Sequence, residues 1–127
     1  MEQAEAAAQA LHARLGLGLL AIGHSAGGHL ATWLLARLCC MGAALPISGL
    51  FWLEPLMQTS LNRTLRLHVM EARRLPPGLL PSPRKPLHAA LGDESREFLR
   101  EKRGFAALWG GKAEVLPDSN HFTLLNR

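Results

Sequence analysis

The stretch LLAIGHSAGGHLATWLLARL, residues Leu19–Leu38, decides how the rest of the chain is interpreted. An apolar run with the composition of a buried parallel strand, Leu17–Gly23, ends in a glycine. Directly after it, Ala26–Met41 has the composition of a helix that is apolar on most faces and stops before a glycine. Ser25 stands at the junction. The stretch predicts a strand, a tight turn that carries a hydroxyl group, and a helix packed in a large core.

The segments on either side of this stretch continue the alternation of helix and strand. Upstream, residues 2–14 are good helix formers, and Gly16 suits the end of a helix. Residues 73–86 hold five prolines and are predicted as a loop. The remaining predicted elements are a strand with its exit loop at Ala44–Leu53, a short helix at Thr59–Leu67, a strand and its polar turn at Leu87–Ser95, a helix at Glu94–Gly110, a strand at Ala113–Leu116 and the start of a helix at 121–127. This alternation predicts an α/β layer structure with a mostly parallel sheet.

Length, charge and cysteine usage limit the classes of protein that fit. The chain has 127 residues, the size of one domain, and a formal net charge of +4 at pH 7. Its basic residues are scattered without interleaved aromatic residues, which argues against nucleic-acid binding. No apolar run reaches the ~20 residues that cross a bilayer, and no signal peptide is visible. Adjacent Cys39 and Cys40 are poorly placed to bridge each other, and no C-x-x-C pair suggests zinc. We expect a single cytoplasmic domain, residues 1–127, with neither membrane segment nor metal.

The motif GHSAG, residues 23–27, predicts nucleophilic chemistry because it matches G-x-S-x-G between a strand and a helix. On such a turn the Ser25 hydroxyl is lifted above the carboxyl edge of the sheet, at the N-terminus of a helix that favours negative charge. The N–H of Ala26 is then an oxyanion donor. Both flanking glycines, Gly23 and Gly27, are predicted to leave room where a Cβ would collide with strand or helix.

A serine nucleophile needs an acid and a base, and in this kind of fold the acid follows the serine first and the histidine base comes after it. His121, in DSNHF after the last predicted strand, is the predicted base. The acid is Asp93 or Glu94, both in LGDES after the third strand, since either carboxylate can orient an imidazole. The other histidines are predicted to be surface or packing residues on the basis of chain position: His12, His24, His29, His68 and His88.

Four segments, GHSAGGHLA, SGLFWLEPLMQTSLN, LGDESREFLRE and DSNHF, together resemble the kynurenine formamidase (arylformamidase) branch of the α/β-hydrolases. The resemblance implies an α/β-hydrolase-like fold of three layers, with helices flanking a mostly parallel sheet. It implies Ser25 as nucleophile and His121 as base, and it favours Glu94 over Asp93. It further implies hydrolysis of N-formyl-L-kynurenine to L-kynurenine and formate without a metal or organic cofactor.

The sequence also departs from that family, whose members carry an upstream half with an H-G-G-x-W loop that supplies other oxyanion donors. Because no such motif occurs here, the chain is similar to the C-terminal half of a hydrolase. Two alternatives therefore stay open: a general carboxylesterase with the same triad, and a non-catalytic truncated fragment. The expected substrate is a small aryl formamide or ester, in a pocket lined partly by Phe51 and Trp52. A homodimer also stays open.

Overall fold

The structure is a computed structural model that describes residues 2–51, 77 and 80–126. Its regular elements follow the order that the sequence predicts, apart from the helix predicted between the second and third strands, which falls on residues that the structure does not describe. They are α1 (Glu2–Leu15), β1 (Leu19–His24), α2 (Ala26–Arg37), β2 (Met41–Ile47), β3 (His88–Leu91), α3 (Arg96–Leu108), β4 (Lys112–Val115) and a 3-10 helix (Thr123–Asn126).

The strands form a four-stranded sheet in the order β1-β2-β3-β4, and every neighbouring pair is parallel. The carboxyl ends of all strands therefore lie at one edge of the sheet. Ser25 follows β1, Ser48 follows β2, Glu94 follows β3 and His121 follows β4. In open α/β sheets this edge is where ligands bind, and here it collects the residues that the sequence analysis singled out.

The described helices pack against a single face of the sheet. The core cluster joins alternate strand residues Ala44, Ala89 and Leu91 to side chains of all three helices, among them Leu35 of α2 and Phe105 of α3. The predicted mostly parallel sheet flanked by helices is confirmed, and the described residues supply the helical layer on this face. Only alternate residues of each strand enter this core, because the pleat of a strand points successive side chains to opposite faces of the sheet.

The opposite face of the sheet is open in the part of the chain that the structure describes. Leu20 and Ile22 of β1 are each 59% exposed. Next to them in register lie Ala43 and Leu45 of β2, which are only partly buried. No helix among the described residues is long and apolar enough to cross a membrane.

Two predicted boundaries near α2 are wrong. The helix ends at Arg37 instead of Met41, and the next strand, Met41–Ile47, begins three residues before the predicted Ala44. The helix stops early because Leu38 adopts an extended backbone and the ammonium of Lys85 donates to the last carbonyls, Leu35 O at 3.3 Å and Leu38 O at 2.7 Å. A cation at the C-terminus of a helix is favourable.

The elements after the proline-rich loop agree with the predicted order but differ in their bounds, and the last strand, Lys112–Val115, begins one residue before the predicted Ala113. The third strand spans His88–Leu91, and α3 begins only after Ser95, whose side chain accepts a hydrogen bond from the Phe98 N–H. Serine caps a helix in this way. The predicted final helix is a single 3-10 turn, Thr123–Asn126. The predicted helix at 59–67 lies outside the described residues.

Candidate active site

The turn around Ser25 has the strained geometry that the motif predicts. Ser25 has φ 54° and ψ −114°, a backbone conformation that is uncommon for a residue with a side chain. It is held there from both sides: its N–H donates to Ile47 O at 2.9 Å, and its carbonyl accepts the His29 N–H at 3.1 Å. Ala26 is the first residue of α2 and is exposed, so its N–H is one of the donors left without a partner inside the helix.

Close contact between β1 and α2 requires glycine at one of the two motif positions. A Cβ on Gly23 would lie 2.1 Å from the Gly27 carbonyl oxygen, which is an impossible contact with backbone. A Cβ on Gly27 would meet none of the described residues within 4 Å, so among them the prediction that both flanking glycines leave necessary room is wrong for Gly27. The second required glycine is Gly28, whose Cβ would lie 2.8 Å from the Cα of Gly49.

His121 reaches this edge because the loop after β4 packs directly on the loop after β3. Gly92 touches Asn120 so closely that a Cβ would lie 2.7 Å from its carbonyl group. A ring nitrogen of His24, Nε2, donates to the His121 carbonyl at 2.6 Å, and the two rings are 4.8 Å apart between centroids. His24 was predicted to be a surface or packing residue, and it holds the backbone of His121.

Glu94, and not Asp93, faces His121. The Glu94 side chain is 8% exposed, and its Oε1 lies 3.6 Å from Nδ1 of His121. The same oxygen accepts a hydrogen bond of 2.6 Å from Ser48 Oγ. Asp93 is exposed, and its N–H donates to Ser119 O across the same pair of loops. Of the two carboxylates that the sequence left open, the fold buries Glu94 beside the imidazole.

Lys102 and Ser48 are the site residues that sequence reasoning missed. The Lys102 side chain is 1% exposed, and its ammonium group pairs with Glu94 Oε2. Ser48 is fully buried and has φ 45°, directly after β2. A signal for Lys102 was present, because it lies between Phe98 and Phe105 at helical spacing and so interrupts the apolar stripe of α3.

The electrostatics of the site follow from burial and from this shared carboxylate. Burial on its own raises the pKa of Glu94, but the hydrogen bonds from Lys102 and Ser48 and the charges of Lys102 and His121 outweigh it and hold the pKa below its ordinary value. Burial lowers the pKa of His121; the Lys102 and His24 charges lower it further, and Glu94 only partly opposes them. The lowered pKa favours the neutral imidazole, which is the form that a general base needs.

A cavity of about 380 Å³ joins these groups. It is lined by Ser25, Leu50, Glu94, Phe98, Lys102, His121 and Phe122. Phe51, predicted to line a substrate pocket, does not: it is fully buried in the core and stacks on Phe105 at 4.0 Å between ring centroids. Its neighbour Leu50 lines the cavity instead. Trp52, the other predicted pocket residue, lies outside the described residues.

The remaining described histidines do not enter the cavity. His29 is buried on α2, and a ring nitrogen bonds the Leu50 carbonyl at 2.9 Å; burial lowers its pKa more than this hydrogen bond raises it. His88 pairs with Glu114 at 3.0 Å near the open face of the sheet. Over residues 2–51, 77 and 80–126, no group of three or more metal-ligating side chains comes together.

Comparison with known proteins identifies the fold. No family model matches the chain. A candidate thioesterase from Silicibacter sp. TM1040 superposes with a TM-score of 0.83 at 24% identity, over 98% of this chain and 51% of that protein. An esterase from Pyrococcus furiosus gives a TM-score of 0.68 at 15% identity, over 96% of this chain and 53% of that one. The acylaminoacyl peptidase of Pyrococcus horikoshii gives 0.67 at 16% identity, over 82% and 20%.

The fold is therefore that of the α/β-hydrolases. The chain spans about half the length of the thioesterase and esterase that it matches, at 51% and 53% of those proteins. Fold does not determine function, which has to be argued from the site itself.

Proposed function

We propose that this chain acts as a serine hydrolase in which Ser25 is the nucleophile, His121 the general base and Glu94 the acid. The observation that carries the proposal is a single cavity of about 380 Å³ lined by all three residues, with Glu94 Oε1 3.6 Å from His121 Nδ1. The strained backbone of Ser25 at the start of α2 supports the assignment, since strain of this kind concentrates at functional positions.

The first half of the reaction is acylation of Ser25. Nε2 of His121 takes the hydroxyl proton as Ser25 Oγ attacks the carbonyl carbon of the substrate. Glu94 stabilises the imidazolium that forms, and the Ala26 N–H donates to the developing oxyanion. His121 then returns the proton to the leaving nitrogen or oxygen, which departs as an amine or an alcohol.

The second half releases the acyl group. Water attacks the carbonyl carbon of the acyl-serine ester while His121 takes one of its protons. The ester bond to Ser25 breaks, His121 protonates Ser25 Oγ, and the acid product leaves. For a formyl ester this product is formate. Protons pass only among Ser25, His121, water and the leaving group in this scheme.

The proposed substrate is an aryl formamide, N-formyl-L-kynurenine, and the proposed products are L-kynurenine and formate. Support comes from the resemblance of LGDESREFLRE and SGLFWLEPLMQTSLN to the arylformamidases. The apolar side chains at the cavity, Leu50, Phe98 and Phe122, suit an aromatic ring. A general carboxylesterase of the same mechanism is the second candidate, which the esterase among the structural neighbours favours.

The number of oxyanion donors sets the rate that we expect. The Ala26 N–H is one donor, and loss of one donor in a serine hydrolase costs roughly 10²–10³ in rate. We therefore expect the Ala26 N–H to account for a factor of that order in the rate at which Ser25 is acylated. A chain that neither acylates nor turns over would instead be the non-catalytic alternative.

A fluorophosphonate probe tests the proposal most directly, because it labels only an activated serine. We expect labelling at Ser25, identified by peptide mass spectrometry, and none in Ser25→Ala. Ser82, a half-buried serine whose Oγ donates to Trp109 O at 3.2 Å, offers the matched control: Ser82→Ala should label like the wild type. Folded wild-type protein, verified by circular dichroism, that does not label would end the claim.

The substrate class is tested by a ratio of rates. Turnover of N-formyl-L-kynurenine and of p-nitrophenyl acetate is measured on the same preparation, with Ser25→Ala as the blank. An arylformamidase should favour the formamide in kcat/KM. Preference for the acetate ester would reassign the chain to the carboxylesterase candidate while leaving the proposed mechanism intact.

A further inference from the structure

Lys102 is the most unusual charged residue of the described chain because its side chain is only 1% exposed. A lysine this deep must be paired with an anion to remain charged. Its ammonium group pairs with Glu94 Oε2 and lies 5.5 Å from the centre of the Phe98 ring. It also lines the same cavity as Ser25 and His121.

The two oxygens of Glu94 are therefore divided between different partners. Oε2 receives the ammonium of Lys102, while Oε1 accepts the Ser48 hydroxyl at 2.6 Å. His121 Nδ1 is left at 3.6 Å from Oε1, which is longer than an ordinary hydrogen bond. The carboxylate is thus fixed in place, and its attraction for His121 is shared with a second cation.

We propose that Lys102 is a positioning residue that fixes the Glu94 carboxylate through Oε2 and thereby sets how strongly Glu94 acts on His121. The inference rests on the proposed function, in which Glu94 and His121 work as acid and base. Lys102 itself touches neither Ser25 nor the reacting atoms in this assignment. Its effect is to hold the acid and to limit the negative charge that the imidazole experiences.

The charges around His121 predict the direction of the effect. Glu94 faces it from the loop before α3, Lys102 from α3 itself, and His24 from the end of β1. Asp118 lies on the same loop as His121 and is exposed. Replacing Lys102 by a neutral residue removes a positive charge near the imidazole and frees Glu94 to approach it. Both changes favour uptake of a proton by the Glu94–His121 pair, whichever of the two carries it.

The experiment compares charge-removing and charge-retaining variants at position 102. Lys102→Met and Lys102→Gln remove the charge, and the Gln variant retains a donor for the carboxylate if the Met variant does not fold. Lys102→Arg retains the charge and serves as the matched control. For each variant we measure the pH profile of kcat/KM for p-nitrophenyl acetate. The imidazole of His121 is also titrated by NMR, with its signal assigned from His121→Gln.

We expect the acid limb of the profile and the His121 titration to move to higher pH by roughly one unit in the neutral variants. At a pH well below the midpoint of that limb, a shift of one unit makes kcat/KM of the neutral variants about tenfold lower than that of the wild type. Lys102→Arg should keep the wild-type limb. A merely structural lysine would lower the stability of the neutral variants and leave both midpoints in place, and that result overturns the proposal.

The NMR titration separates this proposal from the proposed function. A chain that shows no turnover and no labelling of Ser25 still has an imidazole whose titration can be followed. Loss of catalysis alone would therefore refute the hydrolase assignment, whereas an unmoved His121 titration in folded Lys102→Gln refutes the role of Lys102.

Discussion

Removal of the charge of Glu94 should destabilise the fold strongly, whether or not the chain is an enzyme. Glu94→Gln keeps the shape of the side chain and its acceptor for Ser48. It leaves the ammonium of Lys102, 1% exposed, with a neutral partner. Breaking a buried ion pair by removing one member is costly because the remaining charge has neither water nor a counter-ion.

The size of the loss can be bounded from both sides. Removing one partner of a buried pair typically costs about 3–5 kcal/mol. The upper end agrees with a simple limit: an ordinary lysine has a pKa of ~10.4, so releasing its proton at pH 7 costs about 4.6 kcal/mol. A domain of this size has about 5–15 kcal/mol of stability. Glu94→Gln should therefore remove about a fifth of the total or more.

Urea unfolding followed by circular dichroism measures this loss, and a double-mutant cycle isolates the pair. In Glu94→Gln/Lys102→Met neither charge remains, so we expect most of the stability to return, with a coupling energy of about 2 kcal/mol or more. Glu97→Gln is the matched control, because Glu97 is exposed in the first turn of the same helix, and it should change stability by no more than about 0.5 kcal/mol.

Two results would refute this reasoning. A loss below about 1 kcal/mol in Glu94→Gln would mean that Lys102 is solvated in solution. Additive effects in the cycle would mean that the two side chains do not interact. The slope of the unfolding curve has to be unchanged for either conclusion, since a changed slope reports a different denatured state.

The structure makes three further predictions. Gly23→Ala should fold poorly because the new Cβ lies 2.1 Å from a backbone oxygen, whereas Gly27→Ala, in open space on α2, should raise stability by about 0.5–1 kcal/mol in thermal unfolding. Phe105→Ala should cost about 3–5 kcal/mol in urea, since Phe105 is fully buried, while Leu108→Ala, 65% exposed, should cost less than about 1. The pKa of Glu94 is lowered from its ordinary value of 4.5, so the stability that its negative charge contributes is complete above pH 4.5 and is lost as the pH falls through the lowered pKa. The free energy of unfolding of Glu94→Gln should lack this dependence on acid pH.

The order of elements could be predicted from the sequence because each element is indicated by its own short stretch of residues. Apolar runs bounded by glycines indicate β1 and α2 without reference to any distant residue. The boundary between α2 and β2 could not be found in this way. Leu38–Met41 is as apolar as the helix before it, and the helix ends there with Lys85, a residue far along the chain, donating to its last carbonyls.

The candidate site was predictable only where one motif fixes one position. Ser25 and His121 follow from the turn after β1 and the loop after β4, because parallel strands bring their carboxyl ends together. The choice between Asp93 and Glu94 could not be made from composition, because both are carboxylates in the same loop. The backbone conformation of that loop decides which of them faces His121. Phe51 was misplaced for the same reason: one residue separates the cavity, lined by Leu50, from the core.

The burial of Lys102 links the stability of this fold to its proposed chemistry. A charged residue on the apolar stripe of α3 needs an anion nearby, and the anion that it contacts is the carboxylate that also faces His121. Strengthening the contact between Glu94 and His121 would weaken the neutralisation of Lys102, and the reverse holds as well. Variants at Glu94 should therefore change unfolding and the His121 titration together. Variants at Ser25, which is not a member of this ion pair, should abolish labelling while leaving the free energy of unfolding nearly unchanged.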